Sequence, residues 1–246
     1  RQAKPYLKSY YGISQNVQAY AESDIMAGLS YLEQIASTQK KPLVVCITMG
    51  TNMGDHTGNS LLNRYLEQLG NGKSRCVVIG GGNEGNQAHH YAGSISVGDS
   101  GGEERAYEDV ELRVSENVRS FSFELWGSVP NTFTISLRAP DGELAQRIPV
   151  RYGAERNIRF LYSGTQVSVS YVLVERNSGS QLIFVRFTDP SPGIWNVRVF
   201  AESAFEKADY HIWLPMESFL PQPIAFLRPN PYLTMTEPAY SRSAIG

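Results

Sequence analysis

Hydrophobic residues change their spacing once along this chain, near residue 94. Up to that point, two stretches with helical spacing, 25–36 and 60–70, alternate with two short apolar runs, 43–49 and 75–79. These runs do not alternate with polar residues, which indicates strands buried on both faces. The order strand, helix, strand predicts a βαβ unit, and with it a parallel sheet and a right-handed crossover.

Local signals mark the ends of the two predicted helices. Ser23 suits the N-cap position of the first helix, and Lys40-Lys41-Pro42 ends it. The second helix is expected to begin near Ser60 and to stop at Gly70. The second helix thus lies between the two apolar runs, in the order strand, helix, strand.

After a glycine-rich stretch at 98–102, hydrophobic residues alternate with polar ones, which is the pattern of half-buried strands. About nine such strands, separated by turn residues, predict a β-sandwich or a jelly roll. They are expected near 110–114, 121–125, 133–137, 143–150, 155–162, 167–171, 183–187, 195–199 and 209–214. The predicted fold class is thus α/β, with a partial parallel sheet and its helices, plus an all-β sandwich.

Composition argues against several classes of partner. The chain has 246 residues and a formal charge of −2, so no strongly basic surface is expected for nucleic acid or for an anionic membrane. No apolar run reaches the roughly 18–20 residues that cross a bilayer. No cofactor or metal site is predicted either.

Cys46 and Cys76 lie within apolar runs and are expected to be buried, reduced thiols, with a disulfide between neighbouring strands as the alternative.

The stretch that bears most directly on chemistry is Gly80-Gly81-Gly82-Asn83-Glu84-Gly85, which follows the second apolar run. Glycines at the end of a buried strand allow another group to approach the backbone closely. A tight loop that binds nothing is the simplest alternative. A phosphate-binding loop is a third interpretation, but the Gly-Lys-Ser/Thr ending of such loops is missing.

Gly82-Asn83-Glu84-Gly85 after a valine-rich strand resembles the Gly-Asn-Glu-Gly segment of subtilases, the subtilisin-like serine proteases. The resemblance implies that the Asn83 side chain donates a hydrogen bond to the oxyanion of the tetrahedral intermediate. The strand that ends in Thr48-Met49-Gly50 is similar to the subtilase strand that pairs with the substrate. By the same resemblance, the substrate-binding residues are Thr48, Met49 and Gly50, together with Gly80, Gly81 and Gly82 in the primary specificity pocket.

The stretches Gly50–His56 and His89-His90 narrow the resemblance to subtilases of clostridia and related bacteria, including those that act in spore germination. Those proteins carry a jelly-roll insert after the oxyanion asparagine. The resemblance implies a subtilase segment over 1–98, an inserted jelly-roll-like sandwich over 99–221 and a return segment over 222–246. It also implies an extracytoplasmic or spore-associated location. The implied partners are a protein or peptide substrate and the remaining parts of the parent protease chain.

The chain departs from the subtilase pattern at the catalytic motifs. The family's Asp and His motifs and its Gly-Thr-Ser motif do not occur, since Gly164-Thr165 is followed by Gln166. We therefore expect a fragment that supplies the oxyanion hole and the substrate-binding strand of a serine endopeptidase but lacks the Asp/His/Ser triad. The alternative is a non-catalytic pseudoprotease, or a β-sandwich module that binds protein or glycan.

Other polar and aromatic residues have simpler interpretations. The histidines are expected to be local or structural, with a role at the rim of the cleft as an alternative for His56. The tryptophans at 126, 195 and 213 are expected in the sandwich core, and a sugar-binding platform is the alternative. The acidic cluster is expected to be part of a solvated linker, and a calcium site is the alternative. Its members are Asp99, Glu103, Glu104, Glu108 and Asp109.

Overall fold

The computed structural model describes residues 2–96, 107–151, 153–201 and 207–242, in which strands outnumber helices. The helices are α1 (Pro5–Tyr10), α2 (Glu22–Thr38) and α3 (Leu61–Gly70), and a 3₁₀ turn spans Glu217–Phe219. The strands are β1 (Leu43–Ile47), β2 (Arg75–Ile79), β3 (His90–Ser96), β4 (Tyr107–Val114), β5 (Ser120–Gly127), β6 (Phe133–Arg138), β7 (Leu144–Ile148), β8 (Arg156–Arg159), β9 (Gln166–Val172), β10 (Gln181–Thr188), β11 (Gly193–Ala201), β12 (Lys207–Trp213) and β13 (Ile224–Phe226). None of the described helices is long and apolar enough to cross a membrane.

The predicted βαβ unit is present as β1, α3 and β2, with the two strands parallel and paired along their whole length. Ser60 caps α3, because its hydroxyl accepts a hydrogen bond from the Asn63 N–H at 3.1 Å. The prediction of Ser23 as the N-cap of α2 is wrong. The helix begins at Glu22, and the Ala21 carbonyl accepts its first hydrogen bonds.

A small hydrophobic core joins this sheet to α2 and α3. It consists of Leu29, Val45, Ile47, Leu62, Leu66, Leu69, Val77 and Ile79. Within the described residues only one face of β1 is covered, because Val45 and Ile47 are buried while Val44 is 68% exposed. The prediction of strands buried on both faces is therefore wrong for β1.

The exposure of the two cysteines also reflects the uncovered face of this sheet. Cys46 on β1 is exposed and Cys76 on β2 is half-buried, so the prediction of two buried thiols is also wrong. Both are free, which rules out the disulfide alternative in this structure. The described parallel sheet has only two strands, and the larger subtilisin-like parallel sheet stays a prediction.

The remaining strands form two antiparallel sheets, ordered β3-β12-β5-β10-β9-β8 and β13-β4-β11-β6-β7. The nine strands β4 to β12 lie where hydrophobic alternation predicted them. The pattern did not reveal β3, whose small residues Ala92 and Gly93 interrupt the alternation, or β13, which has three residues. The jelly-roll connection of these strands stays a prediction.

One hydrophobic core contains residues from both antiparallel sheets. Phe121 stacks on Phe187 with ring centroids 4.6 Å apart, and Trp195 contacts Phe187 edge-on at 5.0 Å. Trp126, Trp195 and Trp213 are 8%, 0% and 2% exposed. They therefore belong to the interior and do not form an exposed sugar-binding platform.

The sheets extend beyond both expected limits of the insert. β3 lies before residue 99 and β13 after residue 221, yet they pair with β12 and β4 respectively. Tyr91 of β3 and Tyr210 of β12 both donate hydrogen bonds to Glu108 of β4, at 2.6 and 2.9 Å. The division into 1–98, 99–221 and 222–246 stays a prediction, and residues 98 and 99 lie outside the described residues.

Two members of the acidic cluster have structural partners. Glu108 accepts the tyrosine hydroxyls, and Asp109 forms a bidentate ion pair with Arg198 at 2.7 and 2.8 Å. The other members, Asp99, Glu103 and Glu104, lie outside the described residues. Among the residues that are described, no three His, Cys, Asp or Glu side chains are placed to hold a metal ion.

Candidate functional site

The carboxyl ends of β1 and β2 bring the two predicted substrate-binding segments together. The Gly80 N–H donates to the Ile47 carbonyl at 2.9 Å, so the chain leaves both strands side by side. A Cβ on Gly80 would lie 3.9 Å from the Thr48 Cα atom. The segments 48–50 and 80–82 thus start side by side, at Thr48 and Gly80, where the two strands of the parallel sheet end.

Thr48 and Met49 have free backbone groups at this end of the sheet. Both residues are exposed, and no backbone hydrogen bond joins 48–50 to another residue in the described ranges. The next residue, Thr51, is paired in both directions with Glu237, at 2.9 and 2.8 Å. An extended peptide can therefore hydrogen-bond along 48–50 without displacing existing pairs.

The carboxy-terminal segment 234–238 lies against two glycine-rich loops. The first loop, 48–60, follows β1, and the second loop, 80–89, follows β2. The Thr236 N–H donates to the Gly81 carbonyl at 3.0 Å. A Cβ on Gly50 would lie 2.2 Å from the Thr236 Oγ1 atom, and one on Gly82 would lie 2.6 Å from its Cγ2 atom. Glycine is needed at both positions for this contact, and at Gly82 also because its φ is +83°.

Asn83 is exposed at the tip of the second loop. Its side-chain amide makes no hydrogen bond to any other described residue. The amide is therefore free to donate to a ligand beside Gly82, as an oxyanion donor must.

Glu84 anchors this loop from the inside, although it stands between exposed neighbours. It is 6% exposed, and its Oε2 atom accepts from the Asn52 amide at 3.0 Å and lies 2.7 Å from His89 Nδ1. Its Oε1 atom accepts from the Glu217 N–H at 3.3 Å. Sequence reasoning missed this role, because nothing in the local pattern shows that Glu84 points inward.

Three histidines pack around Trp213, behind the same loops. Ring centroids lie 4.1 Å from Trp213 for His56, 4.8 Å for His90 and 5.1 Å for His211. Burial lowers the pKa of His56 and of His90 to about 4, so both are neutral at neutral pH. His90 Nε2 and His211 Nδ1 are 3.0 Å apart, which neutral rings allow. The histidines are thus structural, as predicted, and the buried His56 does not lie at an exposed rim.

A cavity of about 670 Å³ opens beside the first loop and includes 48–50 in its lining. Three carboxylates also line it, from Glu22 of α2, Glu124 of β5 and Glu237. Burial raises the pKa of Glu237 to about 7 and also raises that of Glu124, and repulsion from Glu22 contributes to both. No local pattern in the sequence indicates that these three distant carboxylates meet.

Comparison with known proteins identifies the fold but not a family. No family model matches the sequence, and no curated protein matches it. Among solved structures, the fold of this chain is similar to that of a bacterial protease, the CspB protease of Clostridium perfringens. The two structures match with a TM-score of 0.77 and 23% identity over 93% of this chain.

At this identity the comparison establishes a common fold and no more. It agrees, at that level, with the sequence resemblance to clostridial proteases. The match covers 46% of the CspB chain, so this chain spans about half the length of its structural neighbour.

Proposed function

We propose that this chain is part of a subtilisin-like serine endopeptidase that hydrolyses peptide bonds in proteins. In this proposal 48–50 pair with the substrate backbone, Gly80–Gly82 line the primary specificity pocket and Asn83 donates to the oxyanion. The observation that carries the proposal is that β1 and β2 end side by side, with unpaired backbone at 48–50 after β1 and the free Asn83 amide in the loop after β2. The CspB fold supports it.

The chemistry requires groups beyond those described. In acyl transfer a serine attacks the carbonyl, a histidine takes the proton and an aspartate orients the histidine. Asn83 supplies only the stabilisation of the oxyanion, which does not form without a nucleophile. We propose that the remaining parts of a parent protease chain supply the triad. The uncovered face of β1, with Val44 68% exposed, supports such a partner.

The proposal is tested by Asn83→Leu in the full-length protein that contains this chain. Leucine is nearly isosteric with asparagine but cannot donate, so kcat should fall by roughly 10²–10³. KM should change little, because the ground-state carbonyl gains less from this donor than the oxyanion does. Asn86→Leu is the matched control, since Asn86 is exposed in the same loop. An Asn83→Leu enzyme with unchanged kcat would remove Asn83 from the mechanism.

A second candidate function is non-catalytic binding of protein or glycan by the sandwich. It is favoured by the turn after β8, where Leu161 and Tyr162 are 81% and 83% exposed. The carboxylate of Glu143 accepts hydrogen bonds from both of their N–H groups, at 2.7 and 3.0 Å, and so holds the pair in place. Flanking sequence separates the candidates: intact Asp, His and Gly-Thr-Ser motifs support the protease, and degenerate motifs support the binding module.

A further inference from the structure

The cavity beside Thr48–Gly50 joins solvent to a buried acidic interior. Tyr11, Tyr20 and Met49 in its lining are 42%, 40% and 43% exposed. Ser122 and Glu237, also in the lining, are 1% and 2% exposed. A volume of about 670 Å³ lies within the range of cavities that hold small organic ligands.

Two buried polar atoms in this lining lack partners among the described residues. They are the Ser122 hydroxyl and the Oε1 atom of Glu237. The other Glu237 oxygen accepts a hydrogen bond from the Asn63 amide. Buried polar atoms are almost always hydrogen-bonded, so a free acceptor and a free hydroxyl in one cavity indicate a ligand that supplies donors.

The charge of the lining specifies the ligand further. Glu22, Glu124 and Glu237 contribute three carboxylates, and none forms an ion pair with a described residue. Lys8 also lines the cavity, but its ammonium donates to the Gln15 and Val17 carbonyls at 3.1 and 2.6 Å. The lining is therefore acidic, and a cation would relieve repulsion in a site shielded from water.

An organic cation fits this cavity better than a metal ion does. No three described carboxylate, histidine or cysteine groups converge closely enough to ligate a metal. Apolar side chains make up much of the remaining lining, including Ile47, Met53 and Met216. Such a surface suits the methylene stem of a cationic group, while the carboxylates suit its charged end.

We propose that this cavity binds a guanidinium or primary ammonium group on an apolar stem, with Glu237 and Glu124 as its acceptors. Glu124 already holds the Gly54 N–H and the Trp126 indole N–H with one oxygen, at 2.8 and 2.9 Å, which fixes its orientation. The cation can belong to a free small molecule or to a basic side chain of a bound peptide. Binding of a peptide's basic side chain depends on the proposed function, because Met49 lines this cavity and also belongs to the proposed substrate-binding segment 48–50. Binding of a free small molecule does not depend on it.

Titration calorimetry on the purified chain with isosteric ligand pairs tests the proposal. Butylguanidine should bind at least about tenfold more tightly than the neutral butylurea, because only the former makes charge-assisted hydrogen bonds. Glu237→Gln should reduce this preference, whereas Ser122→Ala, which removes a neutral hydroxyl, should weaken the binding of both ligands. Glu116→Gln is the control, since Glu116 is exposed on the turn before β5 and does not line the cavity.

A second pair of ligands identifies the source of the cation. A tetrapeptide amide with one arginine is compared with the same peptide carrying citrulline. If the arginine peptide binds more tightly than both butylguanidine and the citrulline peptide, the cation is a peptide side chain. If butylguanidine binds and the peptide does not, the cavity takes a free cation, and the assignment of 48–50 as a peptide-binding segment fails separately.

The proposal is overturned if butylurea binds wild-type protein as tightly as butylguanidine, or if neither binds. This outcome does not depend on any variant, so poor folding of Glu237→Gln cannot obscure it. Equal loss of the charge preference in Glu116→Gln would also contradict the assignment, because the cavity carboxylates would then not be its cause.

Discussion

At the scale of single residues, the neighbours Asn83 and Glu84 have opposite environments. Asn83 is exposed and free to donate, whereas Glu84 is buried with the Asn52 amide and His89. A buried carboxylate with several hydrogen bonds resists displacement, because its donors would be left unpaired. Glu84 thus positions the loop whose exposed tip carries the candidate oxyanion donor.

The pKa of Glu237 leads to a pH prediction at this scale. Its folded pKa of about 7 exceeds its ordinary value of 4.5, because of burial and because Asp55 and Glu22 repel its charge, while Asn63 donates to it. A carboxyl with a raised folded pKa stabilises the fold fully below pH 4.5, and this stability is lost as pH rises through 7. The free energy of unfolding should therefore fall by about 2 kcal/mol between pH 5 and 8 on account of this group.

Urea unfolding of wild type and Glu237→Gln at both pH values measures that contribution. The variant keeps an amide of similar shape but has no charge to titrate, so the fall should be smaller in it. His56 and His90 act in the opposite direction, because their lowered pKa values make the fold lose stability as pH drops below 6.5. A wild type and variant with parallel pH profiles would contradict the assignment of Glu237.

At the scale of elements, β3 and β13 decide where the sandwich ends. β3 pairs with β12 over seven residue pairs and adds the buried side chains of Tyr91 and Ile95 to the core. β13 pairs with β4 and adds Ile224 and Phe226. A segment without these strands would make β12 and β4 the edge strands of their sheets and expose part of the core.

We therefore expect residues 88–227 expressed alone to fold as a β-sandwich more stable than residues 99–221. Unfolding midpoints in urea measure the difference, and far-ultraviolet circular dichroism checks that both segments contain strands. Equal midpoints for the two segments would show that β3 and β13 do not stabilise the sandwich but depend on the rest of the chain.

At the scale of the whole molecule, the uncovered face of the βαβ unit predicts a difference between this chain and its proposed parent. Cys46 lies exposed on that face beside Val44. A parallel sheet normally has both faces covered, so the rest of a parent protease should bury Cys46. Its thiol should then react quickly with N-ethylmaleimide in the 246-residue chain and slowly in the full-length protein.

Mass spectrometry after a short exposure to the reagent locates the labelled cysteine. Cys76 is the internal reference, because it is already half-buried in this chain. If Cys46 in the full-length protein reacts as fast as in this chain, its face is not covered by the parent. The proposal of a parent chain that completes the parallel sheet would then fail.

The sequence by itself determined the elements whose signals are local. Period-two alternation located β4 to β12, and uninterrupted apolar runs located β1 and β2. Ser60 marked the start of α3 because a capping hydroxyl acts within one helical turn. The glycine cluster and Asn83 were also visible, because a loop that approaches other groups closely needs glycine at fixed positions.

Only the tertiary structure decided features that depend on residues far apart in the chain. Glu22, Glu124 and Glu237 line one cavity although about 100 residues separate each from the next. The exposure of Cys46 followed from which face of β1 the helices cover, since an apolar run looks the same whether one face or both are buried. Burial, charge repulsion and the pairing of β3 and β13 arise when distant segments meet, and no local pattern encodes them.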